Sequence, residues 1–235
     1  MNFRKAWRYL LSWFLKTVAA FVVLSALLVV GLRWVDPPIS SFMVRHLVSD
    51  WLDGDDEVFI YHQWVPWEAI SSYVPRAVVA AEDQRFPDHF GFDLVEIGNA
   101  LRDYEHSGRL RGASTISQQL AKNLFLWPGQ SFVRKGLEAW LTLLIELSLP
   151  KRRILELYLN LAQFSGDTFG VGVASVRYFK KPAAELSLRE SSLLAAVLPN
   201  PERYRLNSPS TAVRKRAAWI RQQVKNLGAG YLSRL

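Results

Sequence analysis

The chain has 235 residues, half of them hydrophobic and 13% aromatic, so it can bury a sizeable core and disorder is not its default. It has no cysteine, which excludes disulfides, thiolate metal sites and cysteine nucleophiles. The net charge of +8 is uneven: residues 1–32 carry Arg4, Lys5, Arg8 and Lys16 with no acid, leaving 25 basic against 21 acidic side chains in the rest. So mild an excess favours an anionic membrane surface or substrate over nucleic acid.

Leu10 to Leu32 is an apolar run interrupted only by Lys16. As a helix it is long enough to cross a hydrocarbon core of about 30 Å. It is too long for a signal-peptide core, and Gly31-Leu32-Arg33-Trp34 offers no small-x-small cleavage site. The expected organisation is a cytoplasmic tail over 1–11, an uncleaved anchor over 12–32, a connector over 33–65 and one domain over 66–235. Basic residues before the run and acidic ones from Asp36 to Glu57 predict a cytoplasmic N-terminus.

Asp36-Pro37-Pro38 ends the helix and predicts an extended connector. Asp53-Gly54-Asp55-Asp56-Glu57 lacks the alternating ligand spacing of a calcium loop and reads as a solvated acidic turn. Val58 to Trp64 alternates as one short strand. Beyond residue 66 the patterns are helical, near 66–84, 93–107, 114–126, 131–147, 151–162, 168–180, 187–197 and 209–227. The periodicity alone gives a membrane-anchored, mainly α protein.

Four stretches carry candidate chemistry. In the first, an apolar helix delivers Glu82 and Asp83 to a break at Pro87 and a turn at Gly91, where a general base could sit partly desolvated. In the second, Arg111 to Asn123, Gly112 and Ser114 form the entry, with Ser114 as the expected N-cap. Thr115, Gln118, Gln119 and Lys122 then share a face suited to a polyoxygenated, phosphorylated ligand. In the third, Arg134 and Glu138 stand four apart; taken alone they read as an exposed salt bridge. The fourth, Lys151 to Asn160, taken alone is a core helix with a cationic start.

In this order the four stretches resemble the peptidoglycan glycosyltransferases, including their monofunctional, membrane-anchored form. The first motif is matched by Glu82, Asp83, Phe86, His89, Gly91 and Asp93, and the second by Gly112, Ser114, Thr115, Gln118, Gln119, Lys122 and Asn123. Arg134, Lys135 and Glu138 match the third; Ile154, Leu155, Glu156, Tyr158 and Asn160 match the fourth. Arg177 to Lys181 and Ala195 to Pro201 are similar to the family's later segments. The chain departs from the pattern at Gln130, where many relatives carry an arginine, and over Gln163 to Thr168 with Gly172.

The resemblance implies a lysozyme-like α domain with a small membrane-facing lobe, in a bacterial inner membrane with the catalytic domain periplasmic. It implies polymerisation of lipid II with inversion and release of undecaprenyl pyrophosphate. The implied catalytic residues are Glu82, the base, and Glu138, which organises the cations or the donor sugar. Lys122, Arg134 and Lys135 would hold the pyrophosphate. Ser114, Gln118 and Gln119 would fix the glycan, His89 would brace the Glu82 loop, and Asp83, Phe86, Thr115 and Asn123 complete the substrate-binding set. No metal site and no obligatory cofactor are expected, although a divalent cation could assist the pyrophosphate. The implied partners are lipid II, the growing strand, the membrane and other cell-wall synthesis proteins. The competing readings are a glycan-cleaving, lysozyme-like enzyme and a non-catalytic cell-wall scaffold.

Overall fold

The computed structural model describes residues 3–54, 59–108, 112–129 and 131–235, without the side chains of residues 3–6 and Ala229. The side chains of Arg4 and Lys5, the acidic turn from Asp55 to Glu57, Val58, Arg111 and Gln130 therefore lie outside the described residues.

Ten α-helices dominate the described residues. The first, α1 (Phe3–Gly31), is long and apolar enough to cross a membrane over Trp7–Gly31. Its final turns are not free. Ser25, Val29 and Leu32 are buried, and Trp140 of α6 (Phe132–Ser148) donates its indole N–H to Ser25 Oγ at 3.1 Å.

The connector, expected to run extended, instead carries helix α2 (Ser41–Asp53). Local chemistry explains it. The Ser40 hydroxyl caps the start by accepting from Met43 N, and Gly54, at φ 85°, closes the end in a left-handed conformation that glycine adopts without strain. Ser41 then donates to the carbonyls of Asn123 and Leu126, fastening α2 to the end of α5 (Ile116–Phe125).

The expected strand contracts to β1 (Tyr61–His62), which pairs in parallel with β2 (Thr168–Phe169), inside a segment expected to be helical. The helix there starts late, as α8 (Val171–Phe179), because Gly170 at φ 82° turns the chain. Two glycines answer close approaches at this joint. A Cβ on Gly170 would lie 2.6 Å from the Asn160 carbonyl, and one on Gly172 would lie 2.5 Å from Val65 Cγ2. Asn160 itself is buried and clamps the same strand, accepting from Val65 N and donating to Val65 O.

One continuous apolar core holds two groups of helices. In the first, α3 (Tyr73–Glu82) packs against α9 (Leu188–Val197) and α10 (Thr211–Leu227). In the second, α5 packs against α6 and α7 (Lys151–Leu161). The remaining helix, α4 (Leu94–Ser107), is capped by Asp93, whose carboxylate accepts from Val95 N and Glu96 N. The C-terminal end of α3 meets the N-terminal end of α5 where the two groups join. Most of the candidate residues collect there.

Candidate active site

Glu82 is the last residue of α3, so its side chain leaves the apolar core just where the helix ends. Its side chain is 11% exposed. Gln119 Nε2 donates to Glu82 Oε2 at 3.0 Å, and Arg216 Nη2 of α10 donates to Glu82 Oε1 at 3.2 Å. The buried Tyr158 hydroxyl donates to Gln119 Oε1 at 2.9 Å, which fixes the amide with its N–H toward the carboxylate. Burial first, then the charges of Glu82 and Asp83, pushes the Tyr158 hydroxyl well above its ordinary range, so it stays a neutral donor.

Asp83 turns the other way. It is buried, accepts from His89 Nε2 at 2.8 Å and from Ile116 N at 3.0 Å, and so ties the end of α3 to the start of α5. His89, expected to brace the Glu82 loop, is hydrogen-bonded to Asp83, the neighbour of Glu82. Phe86, expected among the substrate contacts, is fully buried under the Lys151 ammonium at 4.5 Å; an unbranched apolar ring beside a helix break belongs to the core. Asp83, His89 and Asp93 bring potential metal-ligand atoms within 4.8 Å of one another. The fit to a resident cation is poor: both Asp83 oxygens are engaged, Asp93 Oδ1 already accepts two backbone N–H groups, and Arg85 Nη1 lies 3.7 Å from it.

At the start of α5 the cap is Thr115 and not Ser114. Thr115 Oγ1 accepts from Gln118 N, and Gln118 Oε1 accepts from Thr115 N, a reciprocal capping box. Both side chains are buried, and Thr115 Oγ1 also donates to Gly91 O at 2.7 Å. Both were expected to face the ligand; the orphan N–H groups of the helix start and the Gly91 turn engage them, and Thr115 still lines the cavity beside Glu82 whereas Gln118 does not. Gly91 has no room for a Cβ, which would sit 2.7 Å from Thr142 Cγ2. Ser114, freed from capping, is exposed and lines a cavity of about 270 Å³ beside Glu82, together with Arg85, Glu96 and Trp219. Asn123 serves through its backbone, as the acceptor for Ser41.

Further along α5 lies Lys122. Arg134 and Lys135 both bind Glu138, Arg134 Nη1 at 2.7 Å from Glu138 Oε2 and Lys135 Nζ on Oε1. The pair is not the exposed bridge that the spacing alone suggests: Arg134 and Glu138 are 9% and 3% exposed. Desolvation, opposed by Glu138 and reinforced by Arg134 and Lys135, holds the Lys122 ammonium below the usual lysine range. Glu82 opposes the shift more weakly, which puts its carboxylate within electrostatic reach of Lys122. Three cations thus surround one carboxylate. Among the described residues the Lys122 ammonium makes no hydrogen bond and lies 5.7 Å from the Phe42 ring centroid, and Arg134 Nε is buried without a partner.

A sequence model of the family described as Transglycosylase matches residues 57–225. The chain belongs to the transglycosylase family. Two of its relatives are named "Biosynthetic peptidoglycan transglycosylase". One, from Xanthomonas euvesicatoria pv. vesicatoria, is 50% identical over 225 residues, covering 96% of this chain and 90% of the relative. Another, from Pseudomonas fluorescens, is 49% identical over 229 residues, covering 97% and 95%.

For a transglycosylase, the structure sorts the expected residues into two sets. Glu82 and Gln119 are hydrogen-bonded to each other, Lys122 lies within electrostatic reach of Glu82, Arg134, Lys135 and Glu138, and Ser114 lines the cavity beside Glu82. Asp83, Phe86, His89, Thr115 and Gln118 hold those residues in place. Arg216 was missed. It sits among five basic residues and no acid in α10, a composition that reads as a solvated face, and its partner lies 134 residues away.

Proposed function

We propose that the chain polymerises lipid II into peptidoglycan glycan strands by inverting glycosyl transfer, releasing undecaprenyl pyrophosphate. The observation that carries this reading is a hydrogen-bonded carboxylate at Glu82 within electrostatic reach of the cation-rich cluster around Glu138. Pyrophosphate is a good leaving group, so cations suffice where a glycosidase needs a protonated acid. The missing component is a base for the acceptor 4-hydroxyl.

Glu82 takes that proton as the hydroxyl oxygen bonds to the anomeric carbon of the donor. The bond from that carbon to the pyrophosphate oxygen breaks, and the electron pair leaves with the pyrophosphate. Lys122 and Arg134 meet the charge that develops there, with Lys135 beside them and Glu138 keeping the guanidinium in register. Gln119 and Tyr158 orient Glu82. A lysozyme-like cleavage is less well supported, because both Glu82 oxygens accept hydrogen bonds, the arrangement of a carboxylate and not of an acid about to donate.

α1 supports a single-pass anchor in the bacterial inner membrane. Arg4, Lys5 and Arg8 argue for a cytoplasmic N-terminus and a periplasmic domain. The test is incubation with labelled lipid II and sizing of the products. Polymer longer than the substrate is expected. A hydrolase would shorten finished glycan instead, and a scaffold would do neither. Adding and chelating divalent ions in the same assay reads metal dependence.

A further inference from the structure

The cavity beside Glu82 is walled by α10, and the wall is Trp219. This indole is 43% exposed, in a helix that otherwise buries Val213, Ala217, Ile220 and Val224 and is strongly basic elsewhere. Among the described residues no ring or cation stacks on it and its N–H makes no hydrogen bond. A single exposed tryptophan is unremarkable on a surface. One that lines a cavity together with Glu82, Ser114, Glu96 and Arg85 is differently placed: an open aromatic ring with a hydroxyl, a carboxylate and a guanidinium around it. A pyranose needs that combination, since its axial C–H groups are apolar and weakly positive toward a π face while its rim hydroxyls need polar partners.

The direction of the chemistry says which sugar. In an inverting displacement the nucleophile and the leaving group occupy opposite sides of the anomeric carbon. The cations lie toward the end of α5 and the start of α6, whereas the cavity opens at the start of α5. None of Lys122, Arg134, Lys135 or Glu138 lines it. Glu82 stands between the two. Resting on the glycosyl-transfer reading above, we propose that Trp219 is the stacking platform for the acceptor sugar, the ring whose hydroxyl Glu82 deprotonates. Arg216, one turn earlier on the same side of α10, keeps Glu82 beside that platform.

The test compares Trp219→Ala and Trp219→Phe in the full-length protein. With lipid II, Trp219→Ala should raise KM about tenfold, the effect of losing one ring contact, and Trp219→Phe should recover most of it. Because a platform binds ground state and transition state alike, kcat should stay within about threefold. Independently, calorimetric titration with a soluble β-1,4-linked N-acetylglucosamine tetrasaccharide should show binding to the wild type and a comparable weakening in Trp219→Ala. An unchanged KM and affinity in Trp219→Ala overturns the platform, as does a wild type that does not bind the tetrasaccharide. If the wild type builds no strand from lipid II, the glycosyl-transfer reading falls, and the tetrasaccharide titration still decides whether Trp219 carries a sugar.

Discussion

Glu82 and Glu138 are two acids with opposite surroundings. Glu82 has one cation, Arg216, and one neutral donor, Gln119, so its charge is matched and its direction fixed. Glu138 has Arg134 and Lys135 bound to it and Lys122 acting on it, so the charge around it is surplus positive. A matched carboxylate is suited to handling a proton. An over-neutralised one is suited to assembling cations that wait for an anion. Like residues thus take unlike roles because of what the neighbouring helices bring to them.

The strongest way to break the contrast is at Glu82. Glu82→Gln keeps the shape and the Gln119 contact but removes the proposed base, and turnover should fall by roughly 10²–10⁴-fold. Retention of more than about a tenth of the wild-type rate would show that the base lies elsewhere. Circular dichroism and membrane insertion should be unchanged.

On the cationic side, Lys122→Met and Arg134→Met should each lower turnover by about tenfold or more, since they act where charge builds as the bond breaks. Lys122→Met should cost little in thermal stability, because it removes a desolvated charge crowded by two others. The double variant should lose less than the sum of the two free energies, as residues serving one group do. Additive losses, or singles near wild type, would make these ordinary charges.

Arg216→Met probes the matched side more gently. The pair is partly open, with the arginine side chain 36% exposed, and Gln119 still holds the other oxygen, so a loss of about three- to tenfold is expected. Arg216→Lys should recover part of it. A loss as deep as that of Glu82→Gln would mean that the arginine itself touches the reacting groups.

The smallest effect is one of pH. The Lys122 ammonium is held below the usual lysine range, so it is lost as pH rises through that lowered value, before an ordinary lysine would titrate. The kcat/KM profile should therefore fall early on its alkaline side. In the same window the unfolded chain binds the proton that the folded chain has released, so this residue makes stability rise with pH. Subtracting the Lys122→Met stability profile from the wild type isolates that trend, and a flat difference would remove the assignment.

Much of this was legible in the sequence, for identifiable reasons. The helical periodicity expected over 151–162, 187–197 and 209–227 is met by α7, α9 and α10, whose apolar faces are buried. Glu82 was legible because an apolar helix ends on it. Gln118 and Phe86 were expected among the substrate contacts and are buried, since shared spacing does not tell a residue that faces a cavity from one that holds its neighbour. The capping box is local, whereas the Gly91 turn that Thr115 joins lies 24 residues away. β2 was obscured for a similar reason: two residues, paired with β1 across more than a hundred positions, leave almost no periodicity to read. Arg216 is the extreme case, a side chain whose partner is supplied by another helix.

The end of α1 has a consequence of its own. Arg153 of α7 donates to the carbonyls of Leu32 and Val35 and binds Asp36, while lying against the Trp64 ring. It also binds Glu156, which accepts from Trp67 N, and two residues after Glu156 the same helix carries Tyr158, behind Gln119 and Glu82. The anchor is therefore a strut and not a tether. With α1 across a bilayer, the cleft would ride at a set height above the lipid surface and could not tumble away from it. A lipid-linked sugar would then need to find the enzyme only by sliding in the plane of the membrane, reducing the search from three dimensions to two.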